Sequence, residues 1–120
     1  FFLKYTRSNK ELLEYIKKHK QKYKMFVLSN NNPPFHEHMK KEADYHNIFD
    51  KIFLSYKEKM KKPDPEFYLK LLKGTGIKPK ECVFTDDRED NVKESEKLGM
   101  KGVRYISFED FLDKIHQILK

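Results

Sequence analysis

The sequence predicts an α/β fold in three layers: a parallel sheet with helices on both faces. Two observations carry this expectation. Short apolar runs, each bounded by polar or turn-forming residues, alternate along the chain with amphipathic segments of helical period. Such alternation is the pattern of βαβ units, because a parallel strand needs a crossover and the crossover covers the sheet. In addition, several of the apolar runs end in polar residues at what would be one edge of that sheet, where open α/β folds bind ligands.

Phe1 to Tyr5 is aromatic but too short to be an element by itself. Ser8 or Asn9 then offers an N-cap for a helix over about 9–20, with Leu12, Leu13, Tyr15 and Ile16 on its apolar face and lysines toward its end. Met25-Phe26-Val27-Leu28 is a buried strand running into Ser29-Asn30. Pro33 and Pro34 suit the first turn of a helix at about 34–43, and a short helical turn near 45–49 leads to a strand at 51–55. Tyr56 to Lys62 reads as a lysine-rich loop. A helix over about 65–73 follows, presenting Phe67, Tyr68, Leu71 and Leu72, and Gly74 and Gly76 terminate it. A strand at 82–85, a helix at about 89–98 ended by Gly99, a strand at about 102–106 and a helix at about 108–119 complete the series.

At 120 residues the chain is one domain, 1–120, with no repeat, low-complexity linker or internal boundary. Ten Phe and seven Tyr give bulk to a core that is otherwise modest in apolar content. The formal net charge of +7 comes almost wholly from lysine, the arginines being Arg7, Arg88 and Arg104. The lysines are strewn along every helix with acids between them, which argues for a solvated surface rather than a nucleic-acid-binding patch. One cysteine, Cys82, lies inside a strand, cannot form an internal disulfide and is compatible with a cytoplasmic location. No membrane span or signal peptide is visible, so no membrane partner is expected. The chain starts at Phe1 without an initiator methionine, as a processed chain or part of a longer polypeptide would.

Three strand ends carry chemistry. Ser29-Asn30 offers a hydroxyl and backbone N–H groups to an anionic oxygen. In Lys62-Pro63-Asp64-Pro65, an ammonium is placed at a helix start, where the helix dipole favours anions, so an anion opposite would rationalise it. Asp86 and Asp87 set two carboxylates side by side; their repulsion calls for a cation, and a hard ion such as Mg²⁺ suits them. Hydroxyl, ammonium and paired carboxylates together are parts of a phosphate-handling site. His36, His38 and His46 read as surface histidines, since i and i+2 diverge on a helix.

These segments resemble the haloacid dehalogenase-like (HAD) hydrolases, particularly the phosphatase branch that includes glucose-1-phosphate phosphatases. Met25-Phe26-Val27-Leu28-Ser29-Asn30 is similar to the family's second motif, Lys62-Pro63-Asp64-Pro65-Glu66-Phe67-Tyr68 to the third, and Val83-Phe84-Thr85-Asp86-Asp87 with Asn91 to the fourth. Leu98-Gly99-Met100 matches the usual continuation. The resemblance implies a Rossmann-like three-layer sandwich. It implies that Ser29, helped by the Asn30 backbone, holds the phosphoryl oxygen of a small phosphorylated metabolite, that Lys62 neutralises it, that Asp87 binds Mg²⁺ with Asp86 beside it, and that Asn91 supports the loop. The reaction would pass through an aspartyl-phosphate.

The family's first motif, a strand ending in Asp-x-Asp, does not precede Ser29, and no helical cap fits between the motifs present. The expectation is therefore four strands without the family's central one. Three states could accommodate this: a C-terminal part of a longer enzyme, a gap closed by direct pairing of the strands at 25–28 and 82–85, or completion by another chain. A dehalogenase of the same fold is disfavoured by the paired acids. A receiver domain is excluded by motif order, because its acidic pair comes first. A catalytically inactive binding module is the rival from another class.

Overall fold

A computed structural model describes residues 2–3, 10–19, 21–30 and 49–119. In chain order these form β1 (Phe2–Leu3), α1 (Lys10–His19), β2 (Phe26–Ser29), β3 (Lys51–Leu54), α2 (Ser55–Glu58), α3 (Pro65–Thr75), a 3₁₀ turn (Pro79–Glu81), β4 (Val83–Asp86), α4 (Glu89–Lys97), β5 (Lys101–Arg104) and α5 (Phe108–Ile118). The architecture is α/β with every paired strand parallel. The helix expected at about 34–43, most of the turn at 45–49 and the three histidines lie outside the described residues.

The strands pair as two hydrogen-bonded ladders, β1-β4-β5 and β2-β3. Phe26 to Ser29 lie opposite Lys51 to Leu54, and Val83 to Asp86 opposite Lys101 to Arg104. Asp50 closes the start of the smaller ladder twice: its N–H donates to Met25 O (2.8 Å), and its carboxylate accepts from the Met25 N–H (2.7 Å). The sheet face follows the strand period of two. Val27, Val83 and Val103 pack with Leu12, Tyr15 and Ile16 of α1 and Phe111 and Ile115 of α5. Phe26, Leu28, Cys82 and Phe84 pack on the other side with Phe67, Tyr68, Leu71 and Leu72 of α3 and Val92 of α4. Both ladders contribute to both cores, so side-chain packing joins what the backbone leaves in two pieces.

Three local expectations are corrected. Phe2–Leu3 is a strand, pairing Phe2 with Phe84 and Leu3 with Thr85, because β4 supplies the ladder that two residues cannot supply themselves. It takes a place beside β4, and β2 and β4 do not pair directly. The lysine-rich stretch after β3 begins with a helical turn, α2. Finally, α3 runs through Gly74 and ends at Gly76, whose φ of 72° gives the left-handed cap that glycine adopts without strain, its N–H bonding Leu72 O. Among the described residues no helix is long and apolar enough to cross a membrane.

Candidate active site

The carboxyl ends of β2 and β4 meet through Lys62. Asn30, the residue after β2, grips the Lys62 backbone at both ends of its amide: Asn30 Nδ2 donates to Lys62 O (3.0 Å), and the Lys62 N–H donates to Asn30 Oδ1 (2.8 Å). The side chain so positioned runs inward, and its ammonium donates to Asp86 Oδ2, the last residue of β4, at 2.7 Å. Neither side chain of this ion pair is exposed. The Lys62–Pro63 peptide is cis.

Asp86 is held on every side. Asn91 Nδ2, from the first turn of α4, donates to Oδ2 (3.1 Å), and the Arg88 N–H donates to Oδ1 (3.0 Å). The repulsion expected between adjacent carboxylates is thus resolved from within: Lys62 neutralises Asp86, while Asp87 stands exposed. The ring of Phe84 lies under the Lys62 ammonium, 5.7 Å from centroid to nitrogen. Tyr68, fully buried on α3 and packed on Phe84, donates its hydroxyl to Asn91 O at 2.7 Å. Burial, and then the charge of Asp86, hold the Tyr68 hydroxyl far above its usual titration range.

Asn30, Lys62, Asp86 and Asn91 are therefore joined by hydrogen bonds, with Asp87 next in the chain to Asp86. Ser29 ends β2 opposite Leu54, and its side chain lies outside the described ones. Two contributors were missed in the sequence. The Asn30 side chain acts as a clasp, where only its backbone was expected to assist. The sequence presents Tyr68 with Phe67, Leu71 and Leu72 on one helix, and nothing in it signals that the Tyr68 hydroxyl reaches a helix 23 residues on. On the outer rim Arg88 and Asp90 form a fork, Nε to Oδ1 at 3.1 Å and an N–H to Oδ2 at 3.2 Å. This bond lowers the Asp90 pKa.

A magnesium ion keeps several waters and is commonly held by one or two carboxylates plus substrate phosphate. Asp87, an exposed carboxylate beside a neutralised neighbour, fits as one such ligand. Both Asp86 oxygens already accept hydrogen bonds, and among the described residues no cluster of three His, Cys, Asp or Glu groups could enclose an ion. The remaining ligands would come from waters, phosphate and groups other than these. Buried polar atoms nearby also lack partners among the described residues: Thr85 Oγ1 on β4 and Asn91 Oδ1.

The sequence model of the haloacid dehalogenase-like hydrolases matches residues 2–105. The chain belongs to this family. A D-ribitol-5-phosphate phosphatase from Bacteroides thetaiotaomicron is 29% identical over 116 residues, covering 89% of this chain and 55% of that protein. A flavin mononucleotide hydrolase from Arabidopsis thaliana is 49% identical over 43 residues, covering 36% of this chain and 18% of the relative. Among solved structures, a HAD family enzyme from Bacteroides thetaiotaomicron in complex with magnesium and inorganic phosphate superposes with a TM-score of 0.79 at 33% identity, over 88% of this chain and 57% of that one. The chain spans little more than half the length of these two Bacteroides thetaiotaomicron proteins. Several named relatives of this HAD-family chain are phosphatases, and its described fold is shared with the solved HAD family enzyme.

Proposed function

We propose that this chain is the C-terminal part of a magnesium-dependent phosphatase that hydrolyses a small phosphomonoester, with the nucleophilic aspartate supplied from outside these residues. The observation that carries the reading is the buried ammonium of Lys62, clasped by Asn30 and delivered to the carboxyl rim where β2 and β4 end. An ammonium is a donor at each of its three protons and accepts nothing, so it suits a phosphoryl oxygen. In a site shielded from water its charge acts on that oxygen far more strongly than it would in bulk solvent. Ser29 and the Asn30 N–H complete the phosphate cradle from β2. Asp86 orients Lys62, and Asn91 fixes the turn that presents Asp87. Asp87 would hold magnesium, which when bound supplies positive charge against the phosphate. Hydrolysis would proceed in two steps through an aspartyl-phosphate on the absent strand.

Completion of the sheet belongs to the same reading. In this chain β1 stands beside β4 without an acid, and Thr85 Oγ1 and Asn91 Oδ1 are buried without partners among the described residues. A longer strand ending in Asp-x-Asp, from a missing N-terminal segment or another chain, would replace β1 and bring hydrogen-bonding groups to that rim. A second reading draws on the same strand: with Phe2–Leu3 settled in that position, the chain is a catalytically inactive HAD module that binds a partner.

Hydrolysis of p-nitrophenyl phosphate decides between them, assayed for the chain alone and for the polypeptide extended upstream through its coding sequence. The phosphatase reading expects turnover in the extended protein, lost with a chelator and with Asp87→Ala. An extended protein without an Asp-x-Asp strand, or without turnover, rejects it in favour of the inactive module.

A further inference from the structure

The loop that delivers Lys62 also walls a cleft of about 350 Å³, lined by Ser55, Lys59, Met60, Lys61 and Asp64. It opens where β3 ends, on the same rim as Asn30 and Lys62, and is large enough for one small polar group of a ligand. Lys59 is the unusual member. Its φ is +57°, the only non-glycine residue with positive φ among the described ones. It follows the last residue of α2, and the Met60 N–H closes the turn onto Ser55 O at 3.3 Å. That is the helix-ending geometry in which glycine is strain-free and a side chain is not. A lysine here keeps the same turn at a cost in conformation, and it sets an exposed ammonium at the cleft.

The surrounding charges point the same way. Glu58, the acid next to Lys59, is turned to Lys70 on α3 at 3.5 Å. Neither Lys59 nor Lys61 has an ion pair among the described residues, and both are exposed. Among the described residues Asp64 is the one acid in the lining, against two lysines. Its N–H is committed to Lys61 O at 2.9 Å, which fixes the backbone between the cleft and Lys62.

We infer that this cleft binds a second anionic group of the substrate, a carboxylate or second phosphate, with Lys59 as its principal contact. The inference rests on the phosphatase reading and deepens it: the preferred phosphomonoesters are those with another negative charge a few bonds from the phosphate, and the loop after β3 chooses them.

The test uses the chain itself, titrated by NMR at moderate salt with phenyl phosphate and with 1,3-propanediol bisphosphate. The bisphosphate is expected to bind about tenfold more tightly, roughly the strength of one further charge-assisted hydrogen bond, and to shift the amides of residues 59–61. Lys59→Gly, which suits the backbone and so keeps the fold, should lower bisphosphate affinity about tenfold. Lys73→Ala, removing an equal charge from the far end of α3, should leave it within about twofold. Equal affinities for the two probes, or an equal loss in both variants, overturns the inference, because bulk positive charge would then suffice. Shifts at 59–61 without any at Lys62 or Asp86–Asn91 support the cleft as an anion site and reject the phosphatase reading beneath it.

Discussion

Lys62 Nζ and Asp86 Oδ2 lie 2.7 Å apart with neither side chain exposed, so each is a counter-charge to the other in the core. Removing one partner leaves the other buried with its main compensation gone, which typically costs about 3–5 kcal/mol. Asp86→Ala and Lys62→Ala are each expected to approach this loss in urea denaturation. The double variant Lys62→Met with Asp86→Leu should recover much of it. Full stability in Asp86→Ala would mean that the ion pair is not what holds Lys62.

Tyr68→Phe deletes only the hydroxyl that bonds Asn91 O. The expected loss is about 1 kcal/mol, the usual net worth of a hydrogen bond, seen as a lower denaturation midpoint at unchanged slope.

The alkaline limb of stability follows from the same residue. Burial raises the pKa values of Tyr68, Tyr15 and Cys82 above their ordinary 10.0, 10.0 and 9.0. A raised folded pKa means the native state keeps its proton while the unfolded chain loses it. The stabilising contribution is therefore complete below about pH 9 and fades as pH climbs through 9 and 10 toward the folded values. Denaturation midpoints should fall over this range. The fall should be shallower in Tyr68→Phe; an identical slope would exclude Tyr68 as a contributor.

Gly102 of β5 faces α4 so closely that a Cβ would sit 2.7 Å from Val92 Cγ1 and 2.8 Å from Glu96 Cγ. Gly102→Ala should cost about 1–3 kcal/mol, the usual range for overpacking, read as a lower thermal midpoint. By contrast, Lys59→Gly should gain roughly 0.5–1 kcal/mol by relieving a left-handed side chain. A loss of stability there would show that the lysine packs rather than strains.

The strands at 26–29, 51–54, 83–86 and 101–104 could be read from the sequence because each is a short apolar run stopped by polar or turn residues. Phe2–Leu3 could not: two residues have no period, and their conformation comes from β4. Ser55–Glu58 was hidden because Ser-Tyr-Lys-Glu is a single turn and carries no apolar stripe. Gly74 reads as a terminator, yet inside α3 its carbonyl accepts from Lys51 Nζ at 2.9 Å and the Phe53 ring closes over it. At the site, residue types and strand ends were legible, but their pairing was not. Lys62 meets Asp86 across 24 positions and Asn30 across 32, and no local pattern encodes such distances. The adjacent carboxylates were read as asking for a metal, whereas the protein's own lysine already answers one of them.

The division of the strands into two ladders has a consequence for how the molecule breathes. Among the described residues no hydrogen bond spans from β2 to its neighbour on the β4 side, and there the two ladders are joined by the side chains of the two cores. Amide protons of the 26–29 and 51–54 pair should then exchange with deuterium in a different wave from those of 83–86 and 101–104. Each ladder would open as a unit of its own.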